Sequence, residues 1–219
     1  MNTVYIVFQL LAAGFAVYTV FSELYRNKEN LSFIWSIWKR FRFGMLLQVL
    51  VLIVIVIITA TFLNQNVPYL HYGWLNLILK NGGNIIIAPV VAGTQSQYVF
   101  VRVLPPIFLF ALILAVPFMA NFEERIFRKG YHTWGKMIQH SVYFGLMHLA
   151  AGISLAVAVT LIIPGLFFAH KYRRTYLRLL PSVEKKEAVK EAVLVTTAYH
   201  TMTNTILITY LMILTILCI

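Results

Sequence analysis

The 219-residue chain contains no aspartate and a single cysteine, and only 11% of its residues are charged. The first absence closes off any site built on aspartates. The lone Cys218, beside the C-terminus, excludes an intrachain disulfide and a multi-cysteine metal site. The scarcity of charge excludes a soluble domain: 60% of the residues are hydrophobic and the mean hydropathy is +0.80, more apolar than a soluble fold of this size needs. Seven glutamates face 18 lysines and arginines, for a net charge of +11. In a soluble protein that excess would point to nucleic acid. Here the basic residues gather in short stretches between apolar runs, without an interleaved basic and aromatic surface, so the expected surroundings are a lipid bilayer and not nucleic acid.

The apolar runs set the architecture. Residues 4–21, 43–63, 101–120, 134–150, 153–170 and 189–219 read as six spanning helices. The fold class is therefore all-α, a polytopic transmembrane helix bundle, with a re-entrant or external segment in the Pro- and Gly-punctuated residues 64–98. We read one transmembrane domain over residues 1–219. Residues 1–100 supply the N-terminal spans and the external segment, and residues 101–219 carry the polar motifs. No basic region precedes the first run, and Arg26 and Lys28 follow it. That order predicts a spanning helix with its N-terminus outside, not a cleaved signal. Residues 26–42 carry five basic residues together with Trp35 and Trp38, which predicts a cytoplasmic, partly amphipathic helix; a plain basic loop is the alternative. Pro105 and Pro106 suit the start of the third span, and Pro117 is expected to kink it. Residues 134–172 read either as one long helix or as two short spans with a break near Ala151–Gly152, and two are chosen here. Two spans keep the basic residues 171–190, expected as a loop, on the cytoplasmic side. The localisation expected is an integral protein of the plasma membrane.

Three polar sets interrupt the apolar helices. The first is Glu123, Glu124 and Arg128. Glu124 and Arg128 are four apart on one helical face and can pair, whereas Glu123 is turned about 100° away and stays free to act. A carboxylate at membrane depth is costly and marks a functional site. The second set is Phe144 and His148, and the third is His200 and Asn204; each is an i, i+4 pair sharing a face. His200 and Asn204 can direct two donors at one point, as an oxyanion requires. Glu123 and His148 offer two acceptors to one water. Taken singly, each set has a plainer reading: a histidine or asparagine bonding a neighbouring helix, or a helix end pinned by an ion pair. The functional reading rests on all three together.

In order, these sets resemble the EExxxR, FxxxH and HxxxN motifs of the CPBP intramembrane proteases, the CAAX prenyl endopeptidase or abortive-infection family. The resemblance covers residues 120–205. It implies a glutamate-dependent endopeptidase acting on a membrane-tethered or prenylated peptide. It further implies that Glu123 is the general base with His148 helping to hold the water, that His200 and Asn204 bind the oxyanion, and that Glu124, Arg128 and Phe144 support them. No cofactor is implied. A zinc-dependent protease and a non-catalytic scaffold or self-immunity protein of the same family are the alternatives. The zinc motif HExxH is absent. Gly152-Ile153-Ser154 is a faint likeness to a rhomboid serine site, without the histidine motifs that would accompany it. The working expectation is that Glu123, His148, His200 and Asn204 converge on one cavity.

Overall fold

The computed structural model describes residues 3–73 and 99–217, and these are helical with no strand among them. Long runs of Leu, Val and Ile form helices, which satisfy backbone groups within the segment as an apolar surrounding demands. The helices are α1 (Thr3–Arg26), α2 (Leu31–Trp38, entered by a 3-10 turn), α3 (Phe43–Asn66), α4 (Val99–Phe127), α5 (Trp134–Met147), α6 (Leu155–Thr160), α7 (Ile162–Leu179) and α8 (Lys185–Leu217). Four segments are long and apolar enough to cross a bilayer: Phe43–Asn66, Arg102–Phe127, Leu155–Leu179 and Lys185–Leu217. Most of the re-entrant segment expected in residues 64–98 lies outside the described residues; the portion up to Gly73 is the end of α3 and a turn.

The paired helices α4 and α8 form the centre of the bundle, with α7 against α8 and α5 against α7. Small residues lie on the several sides of α8 that meet other helices: Ala188, Ala192, Thr196, Thr197, Ala198 and Thr201 are all buried. Small residues let helix backbones approach where lipid offers no hydrophobic drive for association. From α1, Val20 packs onto Leu109, Leu112 and Val116 of α4. Ile37 of α2 and Met45, Val49 and Ile53 of α3 pack onto Ala198 and Met202 of α8. The outer face of α3, with Leu47, Val51, Val54 and Ile58, is exposed and suits acyl chains.

Three expectations are corrected. Residues 171–190 are not a loop: α7 continues to Leu179 and α8 begins at Lys185. Their lysines and arginines sit on helix ends, where long side chains carry charge outward along apolar stems. The third span does not begin at the prolines: α4 starts at Val99 and holds Pro105, Pro106 and Pro117 within it, because neighbouring helices and local adjustments re-satisfy the freed backbone groups. That helix also continues past residue 120 to Phe127, so Glu123 and Glu124 lie inside its last turns. The break at residues 151–152 is present. Gly152 adopts φ +81° after a short 3-10 turn (His148–Ala151), a conformation that favours glycine. The preceding α5 has 14 residues and is about 21 Å long, less than the roughly 30 Å hydrocarbon core. Residues 26–42 are not a plain loop: a 3-10 turn (Lys28–Asn30) leads into α2 (Leu31–Trp38). Phe33 of α2 stacks on Phe118 of α4 at 5.4 Å, and Arg40 pairs with Glu191 of α8.

Candidate functional site

The site forms where the last turns of α4 meet the middle of α8. Asn121 Nδ2 donates to Thr197 Oγ1 at 3.1 Å and fixes the register of the two helices. Nearly one turn further along each, Glu124 meets His200. Glu124 is completely buried and His200 nearly so. His200 Nδ1 lies 3.0 Å from Glu124 Oε1, and Nε2 lies 3.8 Å from Glu123 Oε2. The imidazole is thus set between two adjacent carboxylates. On its faces it is stacked by Phe168 of α7, 4.8 Å away at 22°, and met edge-on by Phe144 of α5 at 5.7 Å.

Arg128 is also buried. Its Nε stands 3.6 Å from Glu124 Oε2, an ion-pair distance and not a hydrogen bond. The guanidinium lies 5.0 Å over the Phe144 ring and donates from Nη1 to the Phe127 carbonyl at 3.1 Å. Glu123 differs from its neighbour in being partly open; among the described residues neither its Oε2 nor that of Glu124 has a hydrogen-bond partner.

His148 opens the 3-10 turn after α5. Its Nδ1 is 2.7 Å from the Phe144 carbonyl oxygen. A carbonyl only accepts, so Nδ1 carries the hydrogen and a neutral ring presents Nε2 as an acceptor. The spacing of Phe144 and His148 therefore has a local mechanism: the residue four earlier orients the ring through its backbone.

Glu123, His148, His200 and Asn204 all line one cavity of about 360 Å³, together with Phe144 and Thr203. Its other walls are aliphatic, from Leu52, Ile53 and Val56 of α3 and Leu109, Leu112 and Val116 of α4. One end of this space is polar and the rest is apolar. Glu124 and Arg128 stand behind the lining, supporting it. Among the described residues no group of three or more His, Cys, Asp or Glu side chains is placed to hold a metal ion. Ser154 is not part of the cavity lining. Its hydroxyl accepts from Val157 N at 3.4 Å, the N-cap of α6.

Spacing alone does not single out Phe168 among 16 phenylalanines, nor a second polar contact that joins three helices. In that contact Lys171 of α7 bonds Gln48 of α3, and Tyr199 of α8 donates to the same Gln48 oxygen at 3.2 Å. Gln48, Lys171 and Tyr199 sit about one turn or less from the cavity residues Leu52, Phe168 and His200, so the contact ties α3 to the helices that carry the site. Its traces in the sequence are Gln48, the sole polar side chain in the apolar run 45–58, and the Phe-x-x-x-Lys of residues 167–171. Comparison of the chain with protein-family models, with curated proteins and with solved structures finds no match.

Proposed function

We propose that this chain is an intramembrane endopeptidase of the CPBP type. It hydrolyses a peptide bond of a membrane-tethered substrate, prenylated or otherwise lipidated. One observation carries the reading: a partly open carboxylate shares a cavity with an oriented imidazole, a second histidine and an amide. Glu123 takes the proton of a water that His148 Nε2 holds on its other side. General-base assistance of this kind contributes about 10²–10⁴-fold. The hydroxide attacks the carbonyl carbon, and Asn204 and His200 face the oxyanion that develops. The aliphatic walls accept the lipid-bearing part of the substrate and keep water scarce, which strengthens each electrostatic contact.

In this reading α1 and α5 complete six spans around the four long apolar segments. The short α5 is tolerated because it packs inside the bundle. The basic helix ends face the cytoplasm of a cell bounded by the plasma membrane in which the protein resides.

The test is cleavage of a fluorogenic lipidated peptide by purified protein in lipid nanodiscs, comparing wild type with Glu123→Gln. The variant should insert and fold normally and lose about 10²-fold or more of the activity. Full activity in Glu123→Gln would sink the reading. A biological effect that survives both Glu123→Gln and His148→Ala would favour a non-catalytic membrane partner. Activity lost to a chelator and restored by zinc would replace Glu123 as base with a metal-bound water.

A further inference from the structure

The two ring nitrogens of His200 are not equivalent. Nδ1 faces Glu124 Oε1 at 3.0 Å, inside a fully buried pair. Arg128 pairs with the other oxygen at 3.6 Å; a carboxylate paired in this way only accepts, and Nδ1 then carries the hydrogen. A neutral ring then leaves Nε2 with a lone pair. Nε2 is the nitrogen that faces Glu123, at 3.8 Å. This bears directly on the oxyanion. A ring in that neutral form has no Nε2–H to offer, and it gains one only by taking up a proton.

We propose that Glu124 is a positioning residue for His200, and that His200 carries the proton of the attacking water from Glu123 to the leaving amine. The inference rests on the endopeptidase reading. The O–H bond of the water breaks and its proton goes to Glu123, while the hydroxide oxygen bonds to the carbonyl carbon. The proton then moves from Glu123 to His200 Nε2, across a gap that about 1 Å of closure or one bridging water spans. The imidazolium donates to the oxyanion it now faces. It finally gives that proton to the departing nitrogen as the C–N bond breaks and the carbonyl re-forms. The products are an acid and an amine, and the ring returns to its starting tautomer.

Charge supports the direction of transfer. The charged groups facing His200 are Glu123, Glu124 and Arg128 from α4, and His148 shares its cavity. On α5 and α7 it meets Phe144 and Phe168. The oxyanion adds its negative charge beside the two carboxylates and one guanidinium, so a proton on His200 is stabilised most at that stage. A buried carboxylate on one imidazole nitrogen fixes the tautomer and stabilises the cation in the same way in other hydrolytic sites. The two phenylalanines hold the ring plane so that Nε2 stays aimed at Glu123.

Two measurements test this. In the first, wild-type protein labelled with ¹⁵N-histidine in nanodiscs gives a ring-nitrogen spectrum near neutral pH, with His200 assigned by its loss in His200→Gln. The expected signature is a hydrogen on Nδ1 and none on Nε2. A hydrogen on Nε2 at rest overturns the proposal, and this arm needs neither catalysis nor a variant at position 124. In the second, Glu124→Gln should lower kcat by about 10²–10⁴-fold with KM little changed, and His200→Gln should do the same. His200→Gln still offers an amide donor to an oxyanion. Its retaining kcat within about threefold of wild type would reduce His200 to a fixed donor and refute the relay. If the wild type cleaves nothing, the endopeptidase reading fails while the spectrum still decides the proton arrangement.

Discussion

Arg128→Met makes the most informative single test of how the site is held. Arg128 has 1% of its surface exposed and Glu124 none. The substitution keeps an unbranched side chain but strips the carboxylate of its cation in a place water does not reach. Breaking a buried pair from one side typically costs about 3–5 kcal/mol, because the remaining charge is left uncompensated. The lost stacking of the guanidinium on Phe144, at 5.0 Å, adds on the order of 1–2 kcal/mol. For a chain of this size each kcal/mol corresponds to about 2–4 °C, so the variant should lose roughly 6–20 °C on the pair alone. The assay is the temperature at which half of the detergent-solubilised protein is lost from its size-exclusion peak after heating. The double variant Glu124→Gln with Arg128→Met removes both charges and leaves His200 a neutral acceptor. It should sit within about 2 kcal/mol of wild type, since deleting a whole buried pair is often close to neutral. If Arg128→Met melts within about 2 °C of wild type, or the double variant is worse than the sum of the singles, the buried-pair argument is wrong.

Two further outcomes follow from packing and charge. A methyl added at Gly145 would stand 2.5 Å from the Ala158 carbonyl oxygen and 2.9 Å from Ile162 Cγ1, so Gly145→Ala should cost about 1–3 kcal/mol. It should also lower turnover by shifting the neighbouring Phe144 and His148; wild-type melting and turnover together would refute this. His132 lies in the connection between α4 and α5 and stacks on Tyr176 at 3.8 Å. Burial, and then the nearby Lys185, lower its pKa below the ordinary histidine value. The unfolded chain then binds this proton more readily than the folded one, so the stability is complete above the ordinary value near 6.5 and falls as pH drops through it. His132→Phe, which keeps the stack, should flatten the acid-side decline in melting temperature between about pH 7 and pH 5. An unchanged slope would show that His132 does not set it.

What was legible in the sequence was what helical geometry fixes locally. The i, i+4 spacing puts Glu124 and Arg128 on one face, and Gly152 marks the break after α5. Less legible were the helix ends. Residues 171–190 look like a loop by composition, yet the structure continues two helices through them, because a charged head on a long apolar stem sits as easily on a helix end as in a loop. Prolines at 105 and 106 look like a start and are not one. Spacing could not show that His200 stands between the two carboxylates. That arrangement depends on the register of α4 against α8, held by Asn121 and Thr197, which are 76 residues apart. Phe168 escapes for the same reason: it reaches the ring from a third helix.

The small residues of α8 govern how this protein can diverge. Ala188, Ala192, Thr196, Thr197, Ala198 and Thr201 leave no room for larger side chains, and extra methylenes in such packing cost about 1–3 kcal/mol each. At Thr197, which faces Asn121 of α4, such a bulge would also move His200 away from the 3.0 Å contact with Glu124. Mutational drift is therefore steered outward, to positions such as Leu47, Val51, Val54 and Ile58 of α3, where one aliphatic residue serves as well as another. Lineages descended from this chain can lose most of their recognisable surface while a narrow ribbon of alanines and threonines keeps the polar centre in register.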